Sequence, residues 1–534
     1  MSARLQPDGQ IVTQVEGSID PAGLAPYVAP SLAAKLEGAA EWSAKLVSGR
    51  LGNELVITSD LRGLAASLPP PFAKVAGEER PTTLAIRALG SDNEVSTLAM
   101  GSIHGRFTRA GEERWNAAFK FGSPVSGEPT REGLWLYGEL AWLDVDAWQA
   151  TFAATRGNAG AVAPQAIELR GADLKLALAH YWGRDFANMH ATLARSGSQW
   201  KGHLESPAVA GDVDWNWEGK GRLVARFDRL AVVEAANTLA PAKAAQATDL
   251  PALDVTAQKF DFRGKWLGAL DLKAEPAGDE WRIDKLDISN PHAKFASTGV
   301  WRRTATGSLT TLNLKLESSD LNAVMGQFGY GDYLKRGTGS LEGTLVWPGF
   351  PHEFAVANIA GSFKVDARRG QFAKIEPGAG KILGLLSLQS LPRRALLDFR
   401  DVFSAGFAFE RIHGDVKVAK GVLLTDNFEI DGPSAFVTMT GEVSIPAETQ
   451  TLTMHVVPEI GEGLALAATL VGTPVLGLST LLVTKLLRNP FGKAVAYEYQ
   501  VTGSWDNPQV VRTSAGPPPK TAANPELPAA RTQQ

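Results

Sequence analysis

The chain has 534 residues, with 53 Lys and Arg against 57 Asp and Glu, and it contains no cysteine. The length predicts roughly three to four domains' worth of fold. The near balance of charge argues against a polyanion-binding protein, and the lack of cysteine excludes disulfides, thiolate nucleophiles and cysteine-ligated metals. Charged residues at 21% and hydrophobic residues at 44% are typical of a folded chain.

The first ten residues contain no apolar run behind Arg4. A secretory signal peptide needs about 7–15 consecutive apolar residues at that point. We therefore expect either a cytoplasmic protein or a chain whose natural start lies upstream of Met1.

Alternation of apolar and polar residues is the dominant pattern of the chain. It recurs at 213–217, 312–316, 412–418 and 495–501. Successive side chains of a strand point to opposite faces, so these segments are predicted to be strands with one apolar face. Such alternation is typical of antiparallel sheets, and glycine-containing turns at roughly 8–15 residue spacing separate the segments. The chain is predicted to be mainly β.

Two loose repeats support this prediction. Trp200 is followed by a strand and turn that end at Trp215, and Trp281 is followed by a similar stretch that ends at Trp301. The patterns Ile-x-Gly-x-Phe-x-Val at 359–365 and Ile-x-Gly-x-Val-x-Val at 412–418 look like one strand type used twice. Repeats of this kind favour a stack of similar units over unrelated globules.

Few segments interrupt the strand pattern. Leu68–Pro81 is rich in proline and is predicted to be a loop, and Ala235–Ala247 is alanine-rich and indicates a helical or flexible insertion. Ser319–Asp320 is a predicted cap for a short helix that runs toward Phe328. Residues 514–534 have little apolar content and are predicted to be a disordered tail.

Two segments are too apolar for solvated helices. The first, at about 380–403, is predicted to form short apolar helices. The second contains 22 consecutive uncharged residues, Gly463–Thr484, which is long enough for a membrane span. Pro474 divides it into helices of about 12 and 20 Å, short of the roughly 30 Å hydrocarbon core.

This second segment, at about 463–488, favours a pair of helices that contacts a membrane interface. A helical plug at the end of the β core and a true span remain open alternatives. The candidate membrane-contact residues are its large apolar members: Leu464, Leu466, Leu470, Val471, Val475, Leu476, Leu481, Leu482 and Leu486.

The sequence contains no catalytic or metal-binding pattern. No two of the eight histidines have the spacing of a helical metal site. The stretch Gly378-Ala-Gly380-Lys381 lacks the further glycine and the hydroxyl residue of a phosphate-binding loop, and there is no nucleophile elbow. We therefore expect a protein that is not an enzyme, with no catalytic residue, no metal and no cofactor.

Several motifs in the last third of the chain identify a known family. Together they resemble the C-terminal region of the AsmA-like proteins of the YhdP type, closely over about 340–510 and more weakly upstream to residue 1. The matching motifs are Trp347–Pro351, Leu383–Arg394, Leu397–Phe399, Gly406–Phe409, Gly421–Phe428, Gly432–Ala435, Val457–Pro458 and Gly503–Pro508.

The resemblance implies a bridge-like lipid transfer protein. Members of this family are anchored in the Gram-negative inner membrane by an N-terminal helix and extend a long β-groove toward the outer membrane. This chain resembles the C-terminal half of such a protein. The implied location is the periplasm, between the inner and outer membranes of the cell envelope.

Pattern and resemblance together predict an elongated, twisted antiparallel β-groove. The predicted segments are groove repeats at 1–250 and 251–345, an AsmA-like C-terminal region at 346–513, and the tail. Some 30 strands would make an open sheet that has to twist and curl. An apolar face of that size exceeds what soluble monomers tolerate, and acyl chains suit it because burial gives about 0.8 kcal/mol per CH₂ without directional demands.

The predicted function is a non-enzymatic conduit for phospholipid between the two membranes, which supports the outer-membrane barrier. The predicted partners are phospholipid acyl chains, a membrane surface at the C-terminal helices, and an anchored N-terminal half or other envelope proteins, but no nucleic acid. The alternative is a β-sandwich scaffold that binds envelope proteins. The candidate lipid-groove residues are Leu312, Leu314, Leu316, Phe363, Val365, Phe407, Phe409, Val416, Val418, Leu452, Met454 and Val456.

Overall fold

The computed structural model describes residues 2–109, 115–125, 131–153, 168–232, 250–373, 407–458 and 497–513, apart from positions 8, 25–27, 29, 51, 182, 306, 332 and 506. The chain divides into two compact units, Met1–Gly278 (unit 1) and Asp279–Gln534 (unit 2). The segment boundaries that we predicted at 250, 345 and 513 stay predictions.

Unit 1 contains eighteen strands and three short helices among its described residues. The helices are α1 (Pro21–Leu24), α2 (Pro30–Ala33) and α3 (Val145–Ala153). The strands are β1 (Ser2–Leu5), β2 (Ile11–Ile19), β3 (Leu36–Gly38), β4 (Ala40–Gly49), β5 (Gly52–Ser59), β6 (Leu64–Ala66), β7 (Thr82–Arg87), β8 (Val95–Met100), β9 (Ile103–Arg109), β10 (Trp115–Phe121), β11 (Gly133–Asp144), β12 (Leu169–Tyr181), β13 (Arg184–Ser196), β14 (Gln199–Glu205), β15 (Val209–Asn216), β16 (Arg222–Val232), β17 (Ala252–Phe262) and β18 (Lys265–Ala277).

Unit 2 contains twelve strands and one α-helix among its described residues. The helix is α4 (Leu321–Gln327), and two single 3₁₀ turns lie at Pro351–Glu353 and Val356–Asn358. The strands are β19 (Glu280–Ser289), β20 (Ala293–Thr304), β21 (Gly307–Ser318), β22 (Leu334–Lys335), β23 (Thr338–Pro348), β24 (Ala360–Phe372), β25 (Ala408–Ala419), β26 (Val422–Asp431), β27 (Ala435–Ser444), β28 (Thr449–Pro458), β29 (Tyr497–Ser504) and β30 (Pro508–Arg512).

Of these 30 strands, 28 belong to one mixed sheet, and β3 and β6 form a small separate one. The prediction of a mainly β fold is confirmed. The pairing is antiparallel in character, as predicted, and three of the described pairs are parallel: β10–β11, β11–β12 and β16–β17. A parallel pair needs a long crossover connection. The Ala235–Ala247 insertion lies in the crossover from β16 to β17, and its own conformation falls outside the described residues.

The short helix predicted after Ser319–Asp320 is present. It is α4, and the Asp320 carboxylate accepts a hydrogen bond from the Ala323 N–H at 3.1 Å, which is the geometry of an N-terminal cap. The segment predicted as a loop, Leu68–Pro81, contains no helix or strand and only an isolated bridge at Lys74. Helices α1 to α3 were not predicted, because each is short and carries little amphipathic pattern.

The two tryptophan repeats correspond to hairpins, and the Ile-x-Gly repeat corresponds to two neighbouring strands. Trp200 lies opposite Trp215 in the β14–β15 pair, and Trp281 lies opposite Trp301 in the β19–β20 pair. The two Ile-x-Gly segments are neighbours in the sheet, since β24 pairs antiparallel with β25. Each glycine therefore faces a β-branched residue of the other strand, with the pairs Gly361–Val418 and Val365–Gly414 in register.

Candidate functional site

One face of the unit 2 sheet carries most of its large apolar side chains. The ladder register connects Leu314 with Gly343, Gly343 with Phe363, and Phe363 with Val416 on neighbouring strands. The register is irregular at β26, and beyond it Gly441 pairs with Leu452 in β27 and β28 and lines a cavity together with Val416. Because alternate residues share a face, we call this side of β19–β30 the apolar face and the opposite side the polar face.

The predicted groove residues all belong to this surface or to the cluster that it forms. Leu312, Leu314, Leu316, Phe363, Val365, Val416, Val418, Leu452, Met454 and Val456 occupy apolar-face positions of β21, β24, β25 and β28. Phe407 and Phe409 are buried in the cluster beside Phe372, whose ring centroid lies 5.2 Å from that of Phe409. Leu316, Phe363 and Val365 are only half-buried. Their contact with lipid stays a prediction.

The apolar face is built from one sheet. Its main buried cluster draws on consecutive strands from β24 to β29, together with Leu334 of β22, and Leu321 of α4 packs against it. In unit 2 every extensive contact between described elements joins hydrogen-bonded neighbours of the sheet, or α4 and β22. Among these elements, no second sheet forms the opposite half of a sandwich core.

The polar face of the same strands carries charges and hydrogen-bonding groups. The Lys315 ammonium lies 2.6 Å from the Glu317 carboxylate, and Thr344 donates a hydrogen bond to Asn313 at 2.7 Å. The Asp366 carboxylate accepts hydrogen bonds from Arg368 and Arg411 at 2.8 and 2.9 Å. These contacts, that of Arg368 first, lower the pKa of Asp366 although partial burial opposes them.

Tyr499, on the apolar face, lies in an apolar environment, in contrast to Asp366 on the polar face. Tyr499 lies opposite Met454, and its side chain is buried in the apolar cluster. Burial raises its pKa, because an apolar environment disfavours the charged phenolate. The two faces of one sheet therefore differ in local polarity as well as in composition.

A small cavity opens on the apolar face of β25–β28. Its volume is about 140 Å³, and it is almost wholly apolar. Two of the predicted groove residues, Val416 and Leu452, contribute to its wall. The other apolar side chains that line it include Phe428, Met439, Val443 and Trp505.

Unit 1 has an apolar face of the same kind, of which the sequence analysis assigned only the strand at 213–217. Leu174 lies between Gly138 and Ala191 in the ladder, and Leu176 lies between Leu140 and Met189. The alternation in β12 is a signal that would have found it. In β11, however, Trp135 and Tyr137 lie on the other face, so that the apolar pattern is blurred there.

The opposite, polar face of unit 1 contains a larger and more open cavity of about 560 Å³ over β13–β16. Four of the titratable residues that line it form two pairs: His203 lies 2.9 Å from Asp212, and Lys201 lies 3.2 Å from Asp214. The hydrogen bond that the His203 ring donates to the Asp212 carboxylate is the main cause that raises the pKa of His203. Its wall nevertheless exposes more apolar than polar surface, and the cross-strand ion pairs lie beside apolar side chains such as Trp135 and Val224.

The predicted membrane-contact residues, from Leu464 to Leu486, all lie outside the described residues. The same is true of the predicted helices at about 380–403 and 463–488 and of the tail. None of the helices that the structure does describe is long and apolar enough to cross a membrane. In the described ranges, no group of three or more His, Asp or Glu side chains is arranged to hold a metal ion.

Comparison with known proteins agrees with this architecture. The family model described as "YhdP protein" matches residues 1–510. The chain belongs to the YhdP family. The match extends beyond the 340–510 region on which the sequence motifs were most specific, and the earlier resemblance is confirmed. No solved structure shows a significant match to this YhdP-family chain.

A curated relative of the chain is the intermembrane phospholipid transporter YhdP of Escherichia coli (strain K12). It is 24% identical over 545 residues, and the alignment covers 94% of this chain. The same alignment covers 41% of the relative, so this YhdP-family chain spans about two fifths of the length of the curated protein.

Proposed function

We propose that this YhdP-family chain is a non-enzymatic conduit for phospholipid between the inner and outer membranes of a Gram-negative envelope. The observation that carries the proposal is the apolar face of unit 2, a continuous surface of one sheet without a second sheet against it among the described residues. An apolar surface spread over so many strands needs a cover in water. Acyl chains provide that cover.

The chemistry of the apolar face suits a mobile ligand. Each buried CH₂ contributes about 0.8 kcal/mol whatever its orientation, so a chain can move along the face without breaking directional bonds. The headgroup would remain at the hydrated margin, because burial of an unpaired charge is unfavourable. Transport of this kind requires a continuous lining and no reacting group.

The described histidines support a structural role rather than a catalytic one. His180, His203 and His413 lie within 3.2 Å of Asp185, Asp212 and Glu429, in pairs between strands that are neighbours in the sheet. Paired side chains of this kind link adjacent strands. A scaffold of β-sandwiches, the alternative function, would require a second sheet over the apolar face.

The cellular location of the conduit is also part of the proposal, and it is supported by the similarity to the E. coli intermembrane phospholipid transporter. We place it in the periplasm, where it would support the outer-membrane barrier. The segments at about 380–403 and 463–488 would contact a membrane surface at one end, and an anchored N-terminal half or other envelope proteins would complete the path.

The test is lipid analysis of the purified 534-residue chain. We expect phospholipid to be recovered by solvent extraction and identified by mass spectrometry. Val416→Asp, on the apolar face, should lower the recovered phospholipid at least about fivefold, because it places a charge among acyl chains. Lys417→Asp adds the same side chain to the polar face one residue away and should leave loading unchanged. A wild-type chain without bound phospholipid would overturn the proposal.

A further inference from the structure

Two apolar segments of unit 2 are inserted at the same end of its sheet. The chain leaves the sheet after Phe372 of β24 and returns at Ala408 of β25, and it leaves again after Pro458 of β28 and returns at Tyr497 of β29. Because β24 to β29 pair antiparallel in chain order, these four residues lie at one end of the strands, which we call the lower end. The opposite end is the upper end. The conformation of the two inserted segments falls outside the described residues.

A cluster of cations lies at the lower end. Arg368 of β24 lies opposite Arg411 of β25, and Lys335 of β22 pairs with the end of β24. The backbone of Gly337 runs close to that of Gly370, since a Cβ on Gly337 would lie 3.1 Å from the Gly370 Cα. The chain segments that carry the cations are therefore neighbours. We call these exposed residues the basic patch: Lys335, Arg336, Arg368, Arg369 and Arg411.

The positive charge of the basic patch is only partly neutralised. Asp366 accepts hydrogen bonds from Arg368 and Arg411 at 2.8 and 2.9 Å. Among the described residues, the other three cations have neither a hydrogen bond nor an ion pair. The carboxylates that β24, β25 and β26 add at this end are Asp366, Glu410 and Asp431. Five cations against three carboxylates leave a surplus of two positive charges.

The sequence of the two inserted segments has the same sign of charge. Residues 374–406 contain five Lys and Arg against three Asp and Glu, and residues 459–496 contain three against two. At the upper end, the described connections between strands contain one cation and three carboxylates: Lys420, Asp279, Glu353 and Glu448. The lower end is therefore the more positive end of unit 2.

An exposed aromatic side chain lies in the same region. The connection from β21 to β23 contains α4 and β22, and it belongs to the lower end because Ser318 lies opposite Gly339. Phe328 follows α4 in this connection and is 49% exposed. Lys335 and Arg336 of the basic patch lie further along the same connection. Aromatic rings together with cations are typical of protein surfaces that enter a membrane interface.

We propose that the lower end of unit 2 docks on an anionic membrane surface. The basic patch contacts the phosphate groups of the lipids, and the Phe328 ring enters the interface beside it. Anionic lipids attract clustered lysine and arginine side chains near their surface, which a neutral bilayer does not do. The docking surface rests on the proposed conduit, because lipid that reaches this end of the apolar face then meets the membrane that donates or receives it.

The experiment measures flotation of the purified 534-residue chain with lipid vesicles. One set of vesicles is phosphatidylcholine, and the other is an equal mixture of phosphatidylcholine and phosphatidylglycerol. We expect at least about tenfold tighter binding to the anionic vesicles, because each lysine or arginine near such a surface contributes about a fivefold factor. Added salt should weaken this binding, since it screens the charges.

A triple variant tests the basic patch. Lys335→Gln, Arg336→Gln and Arg369→Gln together remove the three cations without a described partner, and they should weaken binding to the anionic vesicles at least about tenfold. The matched control makes the same change at three exposed cations in the upper half of the strands: Arg303, Lys417 and Lys420. It should change binding less than about twofold, because salt screens charges far from the membrane. Circular dichroism establishes that both triple variants are folded.

A second pair of variants tests the aromatic contact. Phe328→Ala should weaken binding about threefold, because the ring no longer enters the interface. Val356→Ala removes an apolar side chain that is 37% exposed at the upper end, and it should leave binding unchanged. A requirement for the basic patch without any requirement for Phe328 would indicate an acidic protein surface as the partner and would overturn membrane docking.

The outcomes separate the docking surface from the conduit. Equal binding of the wild-type chain to both kinds of vesicle, or an equal loss in the two triple variants, would overturn the docking surface. Phospholipid extracted from the same preparations tests the conduit independently. A wild-type chain that binds anionic vesicles through the basic patch but carries no phospholipid would overturn the proposed function and not the docking surface.

Discussion

The two faces of the unit 2 sheet share every strand and differ in almost everything else. In β21, Leu312, Leu314 and Leu316 contribute to the apolar face, whereas Asn313 and Lys315 between them contribute to the polar face. One strand thus provides packing on one side and hydrated ion pairs on the other. The comparison shows that neighbouring residues of one strand lie in different environments, because successive side chains point to opposite faces of the sheet.

The energetic consequences of the two faces also differ. Exposed ion pairs such as Lys315–Glu317 contribute little to the free energy of unfolding, because water screens the two charges. Buried apolar side chains contribute more, and their loss leaves a cavity. We therefore expect substitutions on the apolar face to have large effects and substitutions on the polar face to have small ones.

The largest expected effect comes from a charge at the centre of the apolar face. Leu314→Asp should destabilise the β20–β23 region by more than about 3 kcal/mol, because an unpaired carboxylate is buried there. The measurement is hydrogen exchange of the full chain, read in the peptides of these strands.

Asn313→Asp is the matched control for this substitution. It retains the acceptor oxygen for Thr344 on the polar face and should change the local opening free energy by less than about 0.5 kcal/mol. Similar loss of protection in the two variants would show that the two faces are not distinct.

A smaller effect is expected at the glycines of the apolar face. A Cβ on Gly343 would lie 2.1 Å from the Ser362 carbonyl oxygen and 2.5 Å from the Phe363 Cα, so the backbone would have to move. Gly343→Ala should therefore destabilise unit 2 by about 1–3 kcal/mol. Thermal unfolding followed by circular dichroism measures the shift.

The control variant for Gly343→Ala is Gly326→Ala, which we expect to stabilise the protein rather than destabilise it. Gly326 lies in α4, where a Cβ would meet only the Gly331 Cα at an ordinary 3.8 Å. Gly326→Ala should stabilise the helix by up to about 1 kcal/mol, since alanine is the better helix former. A neutral Gly343→Ala would indicate that the strands do not approach as closely as described.

The smallest expected effect is a pH dependence of the polar face in unit 1. The pKa of His203 is raised, chiefly by its hydrogen bond to Asp212 and with a further contribution from Glu205. A raised pKa means that the stabilisation is complete below the unfolded-state pKa of about 6.5 and is lost as the pH rises through the folded-state value. Because His203 is half-exposed, we expect the change to stay below about 1 kcal/mol.

The measurement for His203 is an NMR titration of the full chain with labelled histidine. Asp212→Asn removes the main partner and should move the His203 midpoint back toward about 6.5. An unchanged midpoint in that variant would show that Asp212 does not cause the shift.

The residue pattern predicted the apolar face of unit 2 because apolar and polar residues alternate regularly along its strands. Leu312 to Leu316 and Ile412 to Val418 both identified the apolar face correctly, and Asp320 identified the start of α4. In unit 1 the same reasoning identified only the strand at 213–217. There, Trp135 and Tyr137 add large aromatic side chains to the polar face of β11, so composition no longer distinguishes the two sides.

The environment of Gln450 also escaped sequence analysis. Gln450 reads as an ordinary polar residue, yet it occupies an apolar-face position opposite Gly503. Its significance depends on two backbone carbonyls of β29 that hold its amide and on the indole of Trp505 nearby. No spacing along the chain encodes that arrangement.

The amino-acid sequence alone determined that the chain is mainly β, which side chains share a face of each strand, and to which family it belongs. These features follow from the two-residue period of a strand and from local motifs. Only the tertiary structure decided which strands are neighbours, where three of the pairs are parallel, and which polar atoms remain unpaired inside the apolar face. The physical reason is that strand pairing is a contact between distant segments, and the same alternation is compatible with many partners and registers.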